Sequence, residues 1–420
     1  MFNRPPRERE GVSWIWVALW LLIIYAAIPF ARAMQHFVET HWGRAWFMDV
    51  AWAAVVVAAG FAVLYLYRRQ RAFSLRHLWL VGVAGVYAYW TYCLRDDPEV
   101  AMHFVQYGLL GFLVFRALTH RTRDPAIYVA AILIVAIAGT TDEMIQWFTP
   151  RRVFGYDDIR LNVWAGTLVQ IALALGIRPP LITRPVRASS VRRVSRLAIA
   201  LLLLLGFCLS NTPPVVDWMI RRVPALSYVR EKDSFMTEYG HRLTDPEIGV
   251  FYSRFTSGEL RRTDAARAAD AAKILDAYRE PGDYAAFLKT YTPGTDPFVH
   301  EARVHMFRRD HYWSVAWKHR ERDRDYRLHC TVAYRENQIL EKYFGETLGH
   351  SRERLKPDEV AFLEKHLLAG EPYESPVSAD VVTRFTLGQA WAAILLGVVV
   401  LAAAPRYYGR KHRDEPVLQA

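Results

Sequence analysis

A 420-residue chain that is 52% hydrophobic and 14% aromatic is too apolar for an ordinary soluble protein, and at 23% charged it is too polar to lie wholly in a membrane. The composition therefore predicts a membrane part joined to a soluble part. The formal charge of +11 falls in loops that alternate with apolar segments, so it is assigned to membrane topology, and no nucleic-acid partner is expected. Cys93, Cys208 and Cys330 are far apart and two lie in apolar segments, which excludes a disulfide framework and a thiolate metal site.

Residues 1–12 are polar and carry Arg4, Arg7 and Arg9, and residues 13–30 form a first apolar segment long enough to span. It lacks a small-residue cleavage site, so it is expected to stay as a helix. Residues 31–49 read as a mixed loop or short interfacial helix, with His36, His41, Trp42 and Trp46. Further spans are predicted at 50–67, 78–94, 101–118, 126–148, 162–177, 197–210 and 387–404, eight in all. Basic clusters stand before the first span and after the second, fourth, sixth and eighth, ending with Arg406, Arg410, Lys411 and Arg413. Every second loop is the basic one. The positive-inside rule then gives both termini, including the basic tail 405–420, a cytoplasmic location and puts residues 211–386 outside. The basic loop 178–196 reads as a topology determinant and a contact for anionic lipid.

Residues 211–386 read as an inserted extracytoplasmic α+β domain between membrane parts 1–210 and 387–404. An Ala-rich helix is predicted at 259–279, stopped by Pro281-Gly282, and a short one at 283–290. Runs 302–307, 312–317, 326–334 and 339–344 are strand-like, with Arg308-Arg309-Asp310 as a separator, which predicts an antiparallel meander. Pro357 followed by Asp358 and Glu359 opens a last helix. His300, His305, His311, His319 and His329 are numerous there, with His305, Asp310 and His311 expected near one hairpin.

The stretch 142–162, DEMIQWFTPRRVFGYDDIRLN, concentrates the chemistry. Ionisable groups near the middle of a spanning helix cost about 2.5–3.5 kcal/mol each on insertion scales, so Asp142 and Glu143 need a partner or a function. Asp142 and Gln146 are four apart and share a helix face, as do Asp158 and Asn162, and His103 and Tyr107. Entering from the outer ends of their spans, Tyr107 and Asp142 both lie about 9 Å deep. Three spans thus carry polar groups at one depth, which predicts one outward-open polar cavity, with Arg151 and Arg152 at its mouth. A closed brace, in which Asp142 or Glu143 pairs with Arg152, uses the same residues. His103 with Asp142, Glu143 and Asp158 offers nitrogen and oxygen donors, but no metal-ligand spacing accompanies them. No metal or cofactor is expected.

The run D-E-x-x-Q (Asp142, Glu143, Gln146), then P-x-R (Pro150, Arg152), then D-I-x-x-N (Asp158, Ile159, Asn162) with Gly166 resembles the VanZ-like family. His103 and Tyr107, with Gly108 and Gly111, match the preceding H-x-x-x-Y helix. The resemblance covers residues 100–176; Arg151 stands where the family usually has glycine, and Asp157 doubles the acid at Asp158. It implies a polytopic cell-envelope protein, the founding member being linked to low-level teicoplanin resistance.

Three readings of function follow. In the first, the outer pocket of Tyr107, Gln146, Arg151, Arg152, Asp158 and Asn162 binds or handles an anionic lipid- or glycan-linked envelope component. In the second, Asp142, Glu143 or His103 acts as the general base of a membrane-embedded hydrolase or transferase, since burial tunes a carboxylate for proton transfer. In the third, the membrane part is a scaffold for residues 211–386.

Overall fold

The computed structural model describes every residue except 1–7, 44, 95–97, 151, 153, 184, 232–237, 240, 292–294, 319, 322, 369, 371, 378–381, 384–386 and 412–420. The chain forms two compact units, Met1–Cys208 together with Ala392–Ala420, and Leu209–Trp391.

In the first unit, helix α1 (Glu10–Ala27) runs through a 3₁₀ turn, Ile28–Phe30, into α2 (Ala31–Trp42). Then follow α3 (Ala45–Gln70), α4 (Leu75–Cys93), α5 (Pro98–Leu118) and α6 (Ala126–Trp147). Helix α7 (Tyr156–Ile171) continues as a π-helical stretch, Ala172–Ile177, which Arg178 ends in the left-handed conformation at φ 46°. Helix α8 is Ala188–Leu209. Glycines set the closest approach in the α5–α7 core. A Cβ on Gly111 would lie 3.2 Å from the Gly166 Cα, and one on Gly166 would lie 2.9 Å from Val135 Cγ1. A Cβ on Gly108 would collide with the Tyr87 hydroxyl.

The second unit is largely helical. It holds α9 (Pro213–Arg222), α10 (Ser257–Ala277), α11 (Tyr284–Thr290), α12 (Pro297–Lys318), α13 (Asp323–Tyr343), α14 (Gly345–His350) and α15 (Pro357–Lys365). Helix α10 starts on a capping box: Glu259 N donates to Thr256 Oγ1 at 3.3 Å, and Thr256 N donates to Glu259 Oε2 at 2.8 Å. The α10 and α11 helices fall where the sequence places them, and α15 starts at the expected Pro357 but ends at Lys365, short of the 369–370 end that the sequence suggests. The expected meander does not form. Residues 302–317 lie in α12 and 326–343 in α13, two helices packed on one another. The buried residues explain why: Phe298, Val299, Ala302, Met306 and Arg309 on α12, and Cys330, Ala333, Asn337 and Leu340 on α13, recur every three to four residues. Val, Tyr and Phe in short runs suggest strands, but their spacing along 22 and 21 residues is helical. Arg308-Arg309-Asp310 is mid-helix rather than a turn, and His305 and His311 lie on α12; His319 lies outside the described residues.

The strands of the described residues lie elsewhere. β1 (Glu238–Tyr239) pairs in parallel with β4 (Val382–Thr383), and β2 (His241–Asp245) pairs antiparallel with β3 (Gly249–Ser253). Asp245 Oδ1 accepts from the N–H groups of Glu247 and Ile248, at 3.0 and 3.2 Å, which closes the hairpin turn. Gly249 sits at φ +120°, and a Cβ there would strike the Tyr373 carbonyl. Val250 N donates to Tyr373 O at 2.9 Å, and Ser375 N to Val250 O at 2.8 Å, so residues 373–375 are laid against β3.

Helix α16 (Leu387–Lys411) belongs to the first unit from Ala392 on. Among the described residues six helical stretches are long and apolar enough to cross a membrane: Glu10–Trp42, Ala45–Gln70, Val100–Leu118, Ala126–Trp147, Tyr156–Ile177 and Gly388–Arg410. The apolar window of α6 is 56% buried by protein, against 11% for α3 and 6% for α16, so α5 to α7 form the protein-lined core and the others offer apolar surface outward. Phe61, Leu396 and Val399 are each more than 60% exposed, as lipid-facing side chains are. This is the architecture of a helical multi-pass membrane protein. The two further spans expected at 78–94 and 197–210 lie in α4 and α8, which are helical but more polar: α4 carries Arg76, His77 and several aromatic residues, and α8 is apolar only beyond Arg196.

Candidate functional site

The site is built by α5, α6, α7 and the loop between the last two. Tyr107 projects from α5 and donates its hydroxyl to Asp142 Oδ2 at 2.9 Å; both residues are fully buried. His103, one turn before Tyr107, places Nδ1 3.8 Å from the same oxygen, too far for a hydrogen bond. A second chain of bonds starts at the next residue of α6. Gln146 Nε2 donates to Glu143 Oε1 at 2.6 Å, and Arg152 Nη2 donates to Gln146 Oε1. The other Glu143 oxygen accepts the Gly155 N–H at 2.8 Å.

Asp158 and Asn162 enter from α7. A Cβ on Gly155 would lie 2.6 Å from Asp158 Oδ2 and 3.4 Å from Glu143 Oε2, so Asp158 and Glu143 flank this glycine. A Cβ on Gly139 would lie 3.2 Å from Asn162 Cβ and 3.6 Å from Tyr107 Cε1, so Asn162 lies against α6 beside Tyr107. The Arg152 guanidinium is within electrostatic reach of His103, Asp142, Glu143 and Asp158. Eight of the nine residues read from the sequence therefore meet; Arg151 lies outside the described residues.

The interior of this cluster is sealed. Asp142, Glu143 and Asn162 are 0% exposed and Gln146 is 3% exposed, whereas His103, Arg152 and Asp158 are partly exposed. Among the described residues the packing is closed here: Tyr107 and Asn162 lie against Gly139, which lets α7 approach α6 closely, and no outward-open cavity is seen. Yet the cluster is not saturated. Asp142 Oδ1, His103 Nδ1, Arg152 Nε and both polar atoms of the Asn162 amide are buried with no hydrogen-bond partner among the described residues. Native interiors leave few such atoms, and each asks for an explanation.

Two contributors escape sequence reasoning. Gly155 acts through its backbone N–H, which no side-chain pattern announces. Tyr25 of α1 donates to the Ala138 carbonyl at 2.9 Å and lies within electrostatic reach of Asp142. A tyrosine inside an apolar span reads as an interfacial anchor, so only tertiary packing shows it. Among the described residues no group of three or more His, Cys, Asp or Glu is placed to hold a metal ion.

No family model, curated protein or solved structure matches the chain. What the fold defines is the class, a helical multi-pass membrane protein with a second, largely helical unit.

Proposed function

We propose that the chain is a VanZ-like envelope protein whose α5–α7 site binds a lipid-linked glycan carrying a phosphate. The observation that carries this reading is the set of unpartnered polar atoms on Asp142, His103, Arg152 and Asn162. They supply acceptors and donors at the end of a bundle, the combination that recognises hydroxyl groups. The carboxylates of Asp142, Glu143 and Asp158 outnumber Arg152, so a phosphate is accommodated only on the side of Arg152, a partly exposed residue. Because the interior is sealed, entry requires α7 to move away from α6. A role in tolerance of glycopeptide antibiotics follows from the same reading. In this reading the chain crosses the membrane eight times, both termini are cytoplasmic and residues 211–386 face outward; a reporter fused after Leu226 is then inactive as a cytoplasmic reporter.

The test is photolabelling of the purified chain by a photoreactive polyprenyl-phosphate-linked sugar. Asn162→Leu removes two hydrogen-bonding atoms and should cut labelling about tenfold. Labelling equal to the wild type in both Asn162→Leu and Arg152→Gln defeats the proposal.

A second reading, acid–base catalysis, is favoured by one arrangement: His103 and Asp142 face each other with a free lone pair or proton site on each, and Tyr107 fixes the carboxylate. An approaching hydroxyl that bridges them would pass its proton to the pair.

A further inference from the structure

At the opposite end of the same bundle lies a groove of about 350 Å³ between α8 and α16. The opposite end is fixed by contacts to the loop joining α5 and α6: Ser190 Oγ donates to Asp124 Oδ2 at 2.6 Å, and Arg193 donates to Thr122 Oγ1. Those bonds use one face of α8. Arg192, Ser195, Arg196 and Ile199 line the groove from another face, at the i, i+3, i+4, i+7 spacing of a single helical stripe. From α16 the wall is Leu401, Ala402, Pro405 and Arg406. Two contacts hold the helices at this separation. A Cβ on Gly397 would lie 2.8 Å from Leu202 Cδ1, and Tyr408 donates its hydroxyl to the Val186 carbonyl at 2.9 Å.

The lining has two halves of different chemistry. Ile199, Leu401 and Ala402 are apolar, while Arg192, Arg196 and Arg406 are exposed guanidinium groups that pair with no carboxylate among the described residues. Other arginines of this unit do find acids: Arg116 reaches Glu8 at 2.6 Å and Arg121 reaches Glu10 at 2.6 Å. Three unpaired guanidinium groups converging above an apolar wall, between two helices with lipid-facing surfaces, complement a phosphate that carries acyl chains.

We infer that the α8–α16 groove binds the headgroup phosphate of an anionic phospholipid, with Arg192, Arg196 and Arg406 on the phosphate and Ile199, Leu401 and Ala402 against the first acyl carbons. This site is separate from the α5–α7 cluster and does not depend on the function proposed for it.

The test is native mass spectrometry of the detergent-purified full chain with phosphatidylglycerol and phosphatidylcholine. The wild type should retain phosphatidylglycerol preferentially. Each arginine replaced by glutamine should lower retention about fivefold. The control Arg68→Gln/Arg69→Gln/Arg76→Gln, which removes three charges from another basic loop against one in each groove variant, should keep the preference. Ala402→Trp fills the groove without changing charge and should abolish retention, which covers the case in which the arginine variants fold poorly. Equal loss in the control triple, or retention unchanged in Ala402→Trp, overturns the inference. Loss of the preference when inorganic phosphate is added also overturns it, because the groove would then hold free phosphate rather than lipid.

Discussion

Two buried carboxylates, one in each unit, show how differently a fold can use the same group. Glu336 of α13 is saturated. Its Oε1 accepts from Tyr373 and Ser375 hydroxyls, both at 2.5 Å, and its Oε2 lies 2.6 Å from His305 Nδ1. Burial, with the Glu336 carboxylate beside it, pushes the Tyr373 phenol well above its usual range, so it remains a donor. The partners come from α12 and from the segment laid against β3, so the carboxylate ties three parts of its unit together. Asp142 of α6 is equally buried, yet among the described residues it accepts one bond, from Tyr107, and leaves Oδ1 bare. A saturated carboxylate is a brace. A half-saturated one, beside an unpartnered amide and imidazole, has hydrogen-bonding capacity left over, which is what the proposed binding role uses.

The sharpest break of this comparison is the removal of the brace. Glu336→Ala leaves the buried His305 and Ser375 and the half-buried Tyr373 without this acceptor, and the second unit should lose about 3–5 kcal/mol. Hydrogen exchange of α12 and α13 amides in the full chain measures it. A change below about 1 kcal/mol would show that the three donors find other partners and that saturation has no structural weight here.

Arg152 tests the other side. It is the described guanidinium that faces Asp142, Glu143 and Asp158 together, and it also holds Gln146. Arg152→Ala should destabilise the first unit by about 3 kcal/mol, seen as lower thermal stability and expression, because it leaves buried acid uncompensated. Arg152→Lys should restore only part, since a lysine gives the charge without the fork. Wild-type behaviour of Arg152→Ala would mean that the acids are neutral without it.

The contrast between units also marks what a sequence discloses. The α5–α7 site was legible because hydrocarbon is intolerant: an acid in an apolar helix stands out, and helical spacing alone pairs Asp142 with Gln146 and Asp158 with Asn162. Its sealed state was not legible, because closure depends on Gly139 and Gly155, whose role is to be small. In the second unit the helices with end signals, such as α10 with Thr256 and Glu259 or α15 with Pro357, were readable. The α12–α13 pair was not, because its buried stripe mixes Arg309, His305 and Asn337 with apolar residues and so hides its period. The β2–β3 hairpin depends on Asp245 and Gly249 and on residues 373–375, more than a hundred positions later, which no local pattern contains.

His300 sharpens the comparison by pH. It is buried in α12 with Nδ1 unpartnered, and burial, aided by the charge of Arg254, pushes its pKa from 6.5 down to about 3. Above pH 6.5 neither the folded nor the unfolded state holds the proton. Between 6.5 and about 3 the unfolded state takes it and the folded state does not, so stability falls as pH falls. At pH 5 the loss is about 2 kcal/mol. Asp245, held at about 2 by Lys342, Tyr343 and two backbone N–H groups against the opposing effect of burial, acts only below its ordinary value of 3.8. Burial raises Glu353, which opposes the His300 effect as pH approaches 4.5. Hydrogen exchange in α12, corrected for its intrinsic pH dependence, should therefore show opening that is easier at pH 5 than at pH 7.5, and His300→Gln should flatten the difference. An unchanged slope in His300→Gln would assign the acid sensitivity to other groups.

The smallest expected effect on stability is the most informative about function. Asp142→Asn keeps one oxygen for the Tyr107 hydroxyl and exchanges the bare Oδ1 for an amide nitrogen, so the count of unpartnered atoms does not rise. Stability should change by about 1 kcal/mol or less, in contrast to Glu336→Ala. The chemistry changes far more. If the cluster only binds a hydroxyl-bearing ligand, an amide still offers a polar contact, and photolabelling should fall by less than about tenfold. If Asp142 and His103 pass a proton, the amide cannot accept it, and turnover should fall by about 10²–10⁴ while labelling persists. Stability and labelling measured on this one variant therefore separate a brace, a binding site and an acid–base site. A loss of several kcal/mol would place Asp142 with Glu336 and remove the distinction between the two carboxylates.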